Sequence, residues 1–275
     1  MKRLVVGDIH GEYDRLIKTL DIAGFDPKED MLYGLGDLCD RGPKCYEVVE
    51  YLMSLGDHFK SCIGNHDIWL WQYLDAHING QYMNRDAYET WDYNGGRKTM
   101  EAFEAFHADD ISKKKMIEVK EFLDKFTYQI ILDDAIIMHT PTIKKLFPDT
   151  EEHPENLTIK DILEKRYCAK DYDSWFWDRD ILYADFAFGC NPYYTPFLDQ
   201  KVKEIQKKLG DHKLIICGHT PLTDGPKYSQ LFNIFCIDTG AFVRKERYGE
   251  EGCLTIYNLD TKKYVQDNGN YGILT

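Results

Sequence analysis

No run of apolar residues in this 275-residue chain approaches the roughly 20 that a membrane-spanning helix needs. The start does not look like a secretory leader either. After Met1-Lys2-Arg3 only three apolar residues precede Gly7-Asp8, too few for the hydrophobic stretch of a signal peptide. A cytoplasmic location is the expectation. Positive charge is scarce as well: 34 Lys and Arg stand against 47 Asp and Glu, a formal net charge of −13. That balance speaks against a broad nucleic-acid or membrane surface. It leaves small phosphorylated substrates open, because bound cations can dominate the field inside a cleft. None of the eight cysteines forms a CxxC pair, and Cys62, Cys217 and Cys236 sit in apolar runs, where they read as small buried hydrophobes of a reducing compartment. Repeats, low-complexity tracts and Gly-, Ser- or Pro-rich linkers are missing too. The expectation is one domain spanning 1–275 with two excursions, at about 68–127 and 140–210.

What is present is an alternation of strand-like and helix-like segments. Leu4-Val5-Val6 reads as a buried strand, and Leu16, Ile17, Leu20 and Ala23 recur at helical spacing before Gly24. Met31 to Leu35 reads as a second strand, and Phe59 to Ile63 as a third. Between them Pro43 suits the first turn of a helix carrying Val48, Val49, Leu52 and Met53 and closed by Gly56. This order predicts right-handed βαβ units and a sheet that begins parallel. The stretch from Ile68 to about Phe126 has a helical pattern, broken at Asn94-Gly95-Gly96. Strands return at Tyr128 to Leu132, Ala135 to Met138, Leu214 to Cys217, Ile234 to Ile237 and Cys253 to Tyr257, with a hairpin turn at Asp260-Thr261-Lys262. The fold class is α/β, with α+β character in the C-terminal half.

The polar residues worth following stand where those strands end. They are Gly7-Asp8-Ile9-His10-Gly11, Gly36-Asp37-Leu38-Cys39-Asp40-Arg41-Gly42, Gly64-Asn65-His66-Asp67, His139 and Gly218-His219-Thr220. Ligands of open α/β sheets bind beyond the carboxyl ends of the strands, so these ends would deliver Asp8, His10, Asp37, Asn65, His139 and His219 to one crevice. Carboxylate, imidazole and amide oxygen suit Mn, Fe, Zn or Ni, and one carboxylate can bridge two cations about 3.5–4 Å apart.

These motifs resemble the calcineurin-like metallophosphoesterase superfamily, and within it the bacterial and phage serine/threonine protein phosphatases of the bacteriophage lambda type. Trp177-Asp178-Arg179, Gly218-His219-Thr220-Pro221 and Ile237-Asp238-Thr239-Gly240 fit as well. The resemblance implies a metallophosphoesterase-type β-sandwich flanked by helices and two divalent metal ions per chain, Mn²⁺ in vitro, with Fe, Zn or Ni as candidates. It also implies roles. Asp8 and His10 would hold the first metal, Asp37 would bridge, and Asn65, His139 and His219 would hold the second. His66, paired with Asp40 and kept charged by it, would protonate the leaving oxygen. Arg41 and Arg179 would clamp phosphate oxygens, for which planar guanidinium groups are suited.

The implied activity is metal-dependent phosphomonoester hydrolysis by a hydroxide held between two metals, on a phosphorylated protein (serine/threonine or dual specificity) or a small phosphomonoester. Two positions depart from the group: Asp67 where Glu is usual, and His139-Thr140-Pro141. Asp67 also occurs in the symmetric dinucleoside tetraphosphatases, which make the alternative reading. Asp40 favours phosphomonoesters, since those relatives usually lack an acidic residue there. A non-catalytic scaffold of the same fold would have lost metal ligands or His66, and here all are present. His58, His77, His107, His153 and His212 follow no strand-end pattern and read as packing or surface residues. The aromatic residues of 172–197, Trp175 and Trp177 among them, read as a core beneath a long loop.

Overall fold

The computed structural model describes residues 1–104, 110–141, 157–164, 213–230 and 232–274. Five strands and the helices between them organise the first half. β1 (Arg3–Val6), β2 (Met31–Gly34) and β3 (Phe59–Ser61) are joined by α1 (Tyr13–Ala23) and α2 (Cys45–Ser54). α3 (Asn65–Ile78), α4 (Arg85–Trp91), α5 (Arg97–Glu104) and α6 (Asp110–Leu123) lead to β4 (Gln129–Ile131) and β5 (Ala135–Met138). After the short α7 (Ile159–Glu164) come β6 (Leu214–Cys217), β7 (Lys227–Ser229), β8 (Ile234–Cys236), α8 (Lys245–Tyr248), β9 (Thr255–Asn258), β10 (Lys263–Gln266) and β11 (Tyr271–Ile273). No helix among the described residues is long and apolar enough to cross a membrane.

The strands form two mixed sheets, one of six in the order β11-β10-β9-β1-β2-β3 and one of five in the order β4-β5-β6-β8-β7. β1, β2 and β3 run parallel, as the helical crossovers require. β5, β6 and β8 are the parallel heart of the second sheet. The sheets pack face to face. Val5, Tyr33, Cys62 and Tyr257 from one share a core with Ile137, Ile216 and Phe235 from the other, and the Phe235 and Tyr257 rings meet edge-on at 5.0 Å. The opposite face of the six-stranded sheet is covered by helices through Leu4, Leu16, Leu32, Val48, Ile68 and Leu70. The architecture is the helix-flanked sandwich expected.

Most segments form where the periodicity puts them. Gly24 caps α1 in the left-handed region, with φ of 62°. The turn at Asp260-Thr261-Lys262 joins β9 to β10, with Asn258 opposite Lys263. Pro43 differs: it precedes Lys44, the N-cap of α2, and lies outside the helix. β7 and β11, three residues each, carry no pattern long enough to read. The excursion at 140–210 lies almost wholly outside the described residues.

Ile216 is fully buried between the sheets, whereas Ile131 on edge strand β4 is 45% exposed. Ile216→Ala should cost about 2–5 kcal/mol of unfolding free energy and Ile131→Ala less than about 1 kcal/mol. Urea denaturation of both variants reads the difference.

Candidate metal centre

Six parallel strands, three from each sheet, end on the same side. β1 leads to Asp8 and His10, β2 to Asp37, β3 to Asn65 and His66, β5 to His139, β6 to His219 and β8 to Asp238. The turns that follow are tight. His10, Asp37, Asp40, Arg41 and His219 all have positive φ, five of the seven non-glycine residues that do so among those described. Left-handed backbone is disfavoured for such residues, and strain of this kind collects at functional sites. Close approach adds to it: a Cβ on Gly64 would stand 2.1 Å from Asp37 Oδ1, and one on Gly218 2.0 Å from Asp8 Oδ1.

Asp37 is the centre of the cluster. Its Oδ1 accepts the His66 backbone N–H at 3.0 Å. Its Oδ2 lies 3.6 Å from His10 Nε2 and 3.5 Å from His139 Nε2. His139 Nε2 also stands 3.2 Å from Asn65 Oδ1 and 3.1 Å from His219 Nδ1. His10 Nδ1 faces the Cys39 carbonyl, and His139 Nδ1 faces the Leu35 carbonyl, each at 2.9 Å. A carbonyl only accepts, so each Nδ1 carries the hydrogen and each Nε2 presents a lone pair. Lone pairs converging at these spacings suit a cation, since ligand atoms about 2.1 Å from one ion stand roughly 3.0–3.4 Å apart.

Asp8 completes the set. Its Oδ2 accepts the His219 backbone N–H at 2.8 Å, while its Oδ1 is buried without a hydrogen-bond partner. Burial pushes the carboxyls of Asp8 and Asp37 well above the usual range, and neighbouring carboxylates (Asp238 and Asp37 for Asp8, Asp67 for Asp37) push them further. Burial and Arg41 push His10 well below its ordinary value. Neutral imidazoles and carboxylates crowded together, with Arg41 the cation beside Asp37, fit bound divalent cations. Two groups, His10–Asp37–His66 and Asp37–His139–His219, each bring one donor atom per residue within 4.8 Å of the others, and Asp37 belongs to both.

The family model for calcineurin-like phosphoesterases matches residues 1–223. The chain belongs to the calcineurin-like phosphoesterase family. That family is one of phosphoric ester hydrolases built around a dinuclear metal centre. A symmetrical bis(5'-nucleosyl)-tetraphosphatase of Klebsiella pneumoniae is 47% identical over 70 residues, 26% of this chain and 25% of that protein. The Buchnera aphidicola protein of the same name is 44% identical over 68 residues, 25% of this chain and 24% of its own length. The matches thus span about a quarter of these relatives. Among solved structures, the cold-active protein-tyrosine phosphatase of a Shewanella species aligns with TM-score 0.56 at 17% identity, covering 100% of this chain and 80% of that one. A Saccharomyces cerevisiae serine/threonine phosphatase aligns at 0.50 with 14% identity, covering 93% and 72%. These two show a shared fold.

Around the phosphoesterase core the structure adds residues the sequence does not announce. Asp40 accepts from Thr99 Oγ1 at 2.5 Å and Trp91 Nε1 at 2.6 Å, and it bonds His66 Nδ1. Asp67 sits in the first turn of α3 and accepts the backbone N–H groups of Asp37 (2.8 Å), Leu38 (3.1 Å) and Gly64 (2.8 Å), clamping the β2 and β3 turns together. Arg41 donates to His10 Nε2 at 2.8 Å and His66 Nε2 at 3.0 Å. Its guanidinium lies 4.3 Å from the centre of the Phe242 ring, and its backbone N–H bonds the Gly95 carbonyl. Asn94-Gly95-Gly96 is thus a wall of the site. His58 and His77 bond backbone carbonyls away from it, as packing residues do. Arg179, His107, His153, His212 and the aromatic residues of 172–197 lie outside the described residues.

One expectation changes. Burial and the Arg41 guanidinium push His66 well below its ordinary value, so in this arrangement its Nε2 accepts a hydrogen bond and the ring is not held charged by Asp40. Burial raises Asp40 itself from 3.8 to about 7, against the opposing hydrogen bonds of Thr99 and Trp91. A raised folded-state value means that the stability Asp40 contributes is complete below about pH 4 and is lost as the pH rises through about 7. With chelator present, Asp40→Asn should therefore gain in Tm relative to the parent protein between about pH 5 and pH 8. A Tm difference that stays constant over that window would refute the assignment.

Proposed function

We propose that the chain hydrolyses symmetric dinucleoside tetraphosphates at a two-cation centre. In this reading Asp8 and His10 would hold one cation, Asn65, His139 and His219 would hold the other, and Asp37 would serve both. The observation that carries the reaction is the approach of His10 Nε2 and His139 Nε2 to Asp37 Oδ2, with Asn65 Oδ1 and His219 Nδ1 gathered on His139 Nε2. Bound there, two divalent cations would polarise the phosphoryl oxygens and lower the pKa of water. The residues do the rest. Arg41 reaches the face where His10 Nε2 and His66 Nε2 meet, and it clamps non-bridging phosphate oxygens when substrate replaces those partners. His66, anchored through Nδ1 on Asp40, then has Nε2 free to take up the proton that the attacking water releases and to pass it to the leaving oxygen. Water adds to phosphorus, one phosphoanhydride bond breaks, and the departing nucleoside diphosphate takes the proton.

The substrate is supported by the relatives quoted, both named as symmetrical tetraphosphatases. The phosphatase names of the structural neighbours come with only 14–17% identity. A specific feature favours the second reading, a phosphomonoester or protein phosphatase: the Asp40–His66 bond, which supports proton donation to a poor leaving group. Mn²⁺ is the ion we would supply in vitro. The six described cysteines are all buried, in keeping with a reducing, cytoplasmic compartment.

With Mn²⁺ present, kcat/KM for diadenosine tetraphosphate should exceed that for an aryl phosphate and a phosphopeptide by more than about tenfold, about 1.4 kcal/mol at the transition state. ADP should be the only nucleotide product. Faster turnover of either monoester would replace this reading with the second.

A further inference from the structure

A cleft of about 1010 Å³ opens beside Arg41. Its position is informative, because the guanidinium at its inner end bonds His66 Nε2, the atom that faces the leaving oxygen in the reaction above. In that reaction the leaving group would depart toward this cleft.

Charge there runs against the rest of the molecule. Five cationic and three acidic side chains line the cleft, on a chain of formal net charge −13. Two of the cations are neutralised locally: Arg97 pairs with Asp92 at 2.9 Å and Arg244 with Glu12 at 2.5 Å. Lys98 and Arg247 are exposed, and neither has a carboxylate within ion-pair distance among the described residues. They come from different elements, α5 and α8, so the fold brings to one cleft two cations without a carboxylate partner among the described residues, Arg247 lying 5.3 Å from the centre of the Tyr248 ring. Aromatic rings accompany them. Tyr93 is 91% exposed and Tyr248 49% exposed, and both line the cleft. Tyr248 also packs edge-on against Phe242, at 6.2 Å. The exposed Tyr93 ring and the half-exposed Tyr248 ring, beside cations that no carboxylate neutralises, offer contacts to a flat aromatic group that carries phosphate.

We propose that this cleft is a leaving-group subsite for a nucleoside diphosphate. Lys98 and Arg247 hold its phosphates, and Tyr93 and Tyr248 hold its base. The identity of the leaving group rests on the tetraphosphate reading; the cleft's chemistry stands on the residues just named. The binding determinants then lie on α5, α8 and the turn before α5, outside the metal-centre motifs. A chain with the same metal ligands but other residues at these four positions would select a different leaving group.

The test is inhibition of aryl phosphate hydrolysis by the full-length, Mn²⁺-loaded enzyme, with ADP, pyrophosphate and inorganic phosphate as probes. ADP should inhibit at a concentration at least about tenfold below that of inorganic phosphate. Lys98→Ala/Arg247→Ala should reduce that ratio to within about threefold. Tyr93→Ala/Tyr248→Ala should weaken ADP while leaving pyrophosphate as it was. Lys60→Ala/Lys263→Ala removes two exposed charges from β3 and β10 and should keep the ratio. An ADP-to-phosphate ratio near one in the parent enzyme, or one unmoved by Lys98→Ala/Arg247→Ala, overturns the subsite. Selective ADP binding in an enzyme that prefers monoesters would uphold the subsite and sink the tetraphosphate reading. Tetraphosphate preference without ADP selectivity would do the reverse.

Discussion

Asp37 is a carboxylate buried among carboxylates, and much of the surrounding structure serves to hold it there. Burial and its acidic neighbours disfavour its charge, while one oxygen accepts a backbone N–H and the other stands between His10 and His139. A charge in that position is costly unless it is paired. Cations shared there would answer the need, and they would account for donors from both sheets approaching the same oxygen. The sandwich has a direct part in this: His139 leaves the second sheet and is oriented by the Leu35 carbonyl at the end of β2 in the first. A shift of one sheet against the other would separate the two halves of the site.

Precision of this kind needs a rigid surround. The left-handed residues at positions 10, 37, 40, 41 and 219 would relax if the turns were free to do so. They are held by Asp67, whose carboxylate binds three backbone N–H groups of two different turns, and by the Asp8 bond to the His219 backbone. Asp40 is fixed in turn by Trp91 and Thr99, so helices packed beside the site set the angle of His66. The same helices carry one wall of the cleft beyond Arg41. In the proposed reaction, chemistry and leaving-group contact would fall to different parts of the fold, the strand ends for the first and the helix surfaces for the second.

That division also explains what could be read from the sequence. Each metal-ligand candidate stands directly after a short apolar strand, a local pattern, and β1, β2, β3, β5 and β6 formed where it pointed. The supports of Asp40 lie 51 and 59 residues away, on a helical stretch where a Trp and a Thr look like packing, and no spacing links them to it. Asp67 was visible only as a departure from the resembling group; its role as a clamp appears once β2 and β3 are side by side. The charge state of His66 went the other way from expectation because burial and Arg41 outweigh Asp40, a balance that depends on three-dimensional distances. Lys98, Arg247, Tyr93 and Tyr248 form a set only through folding, since α8 and the turn before α5 are far apart in the chain.

The central claim is that one carboxylate is shared by two cation sites, and metal content tests it most directly. After loading with Mn²⁺ and removal of excess by gel filtration, elemental analysis should find about two ions per chain. Asp37→Asn, provided its circular dichroism matches the parent's, should retain fewer than about one, because the change weakens both sites together. A parent protein that binds one ion or none would contradict the account. So would an Asp37→Asn variant that keeps both.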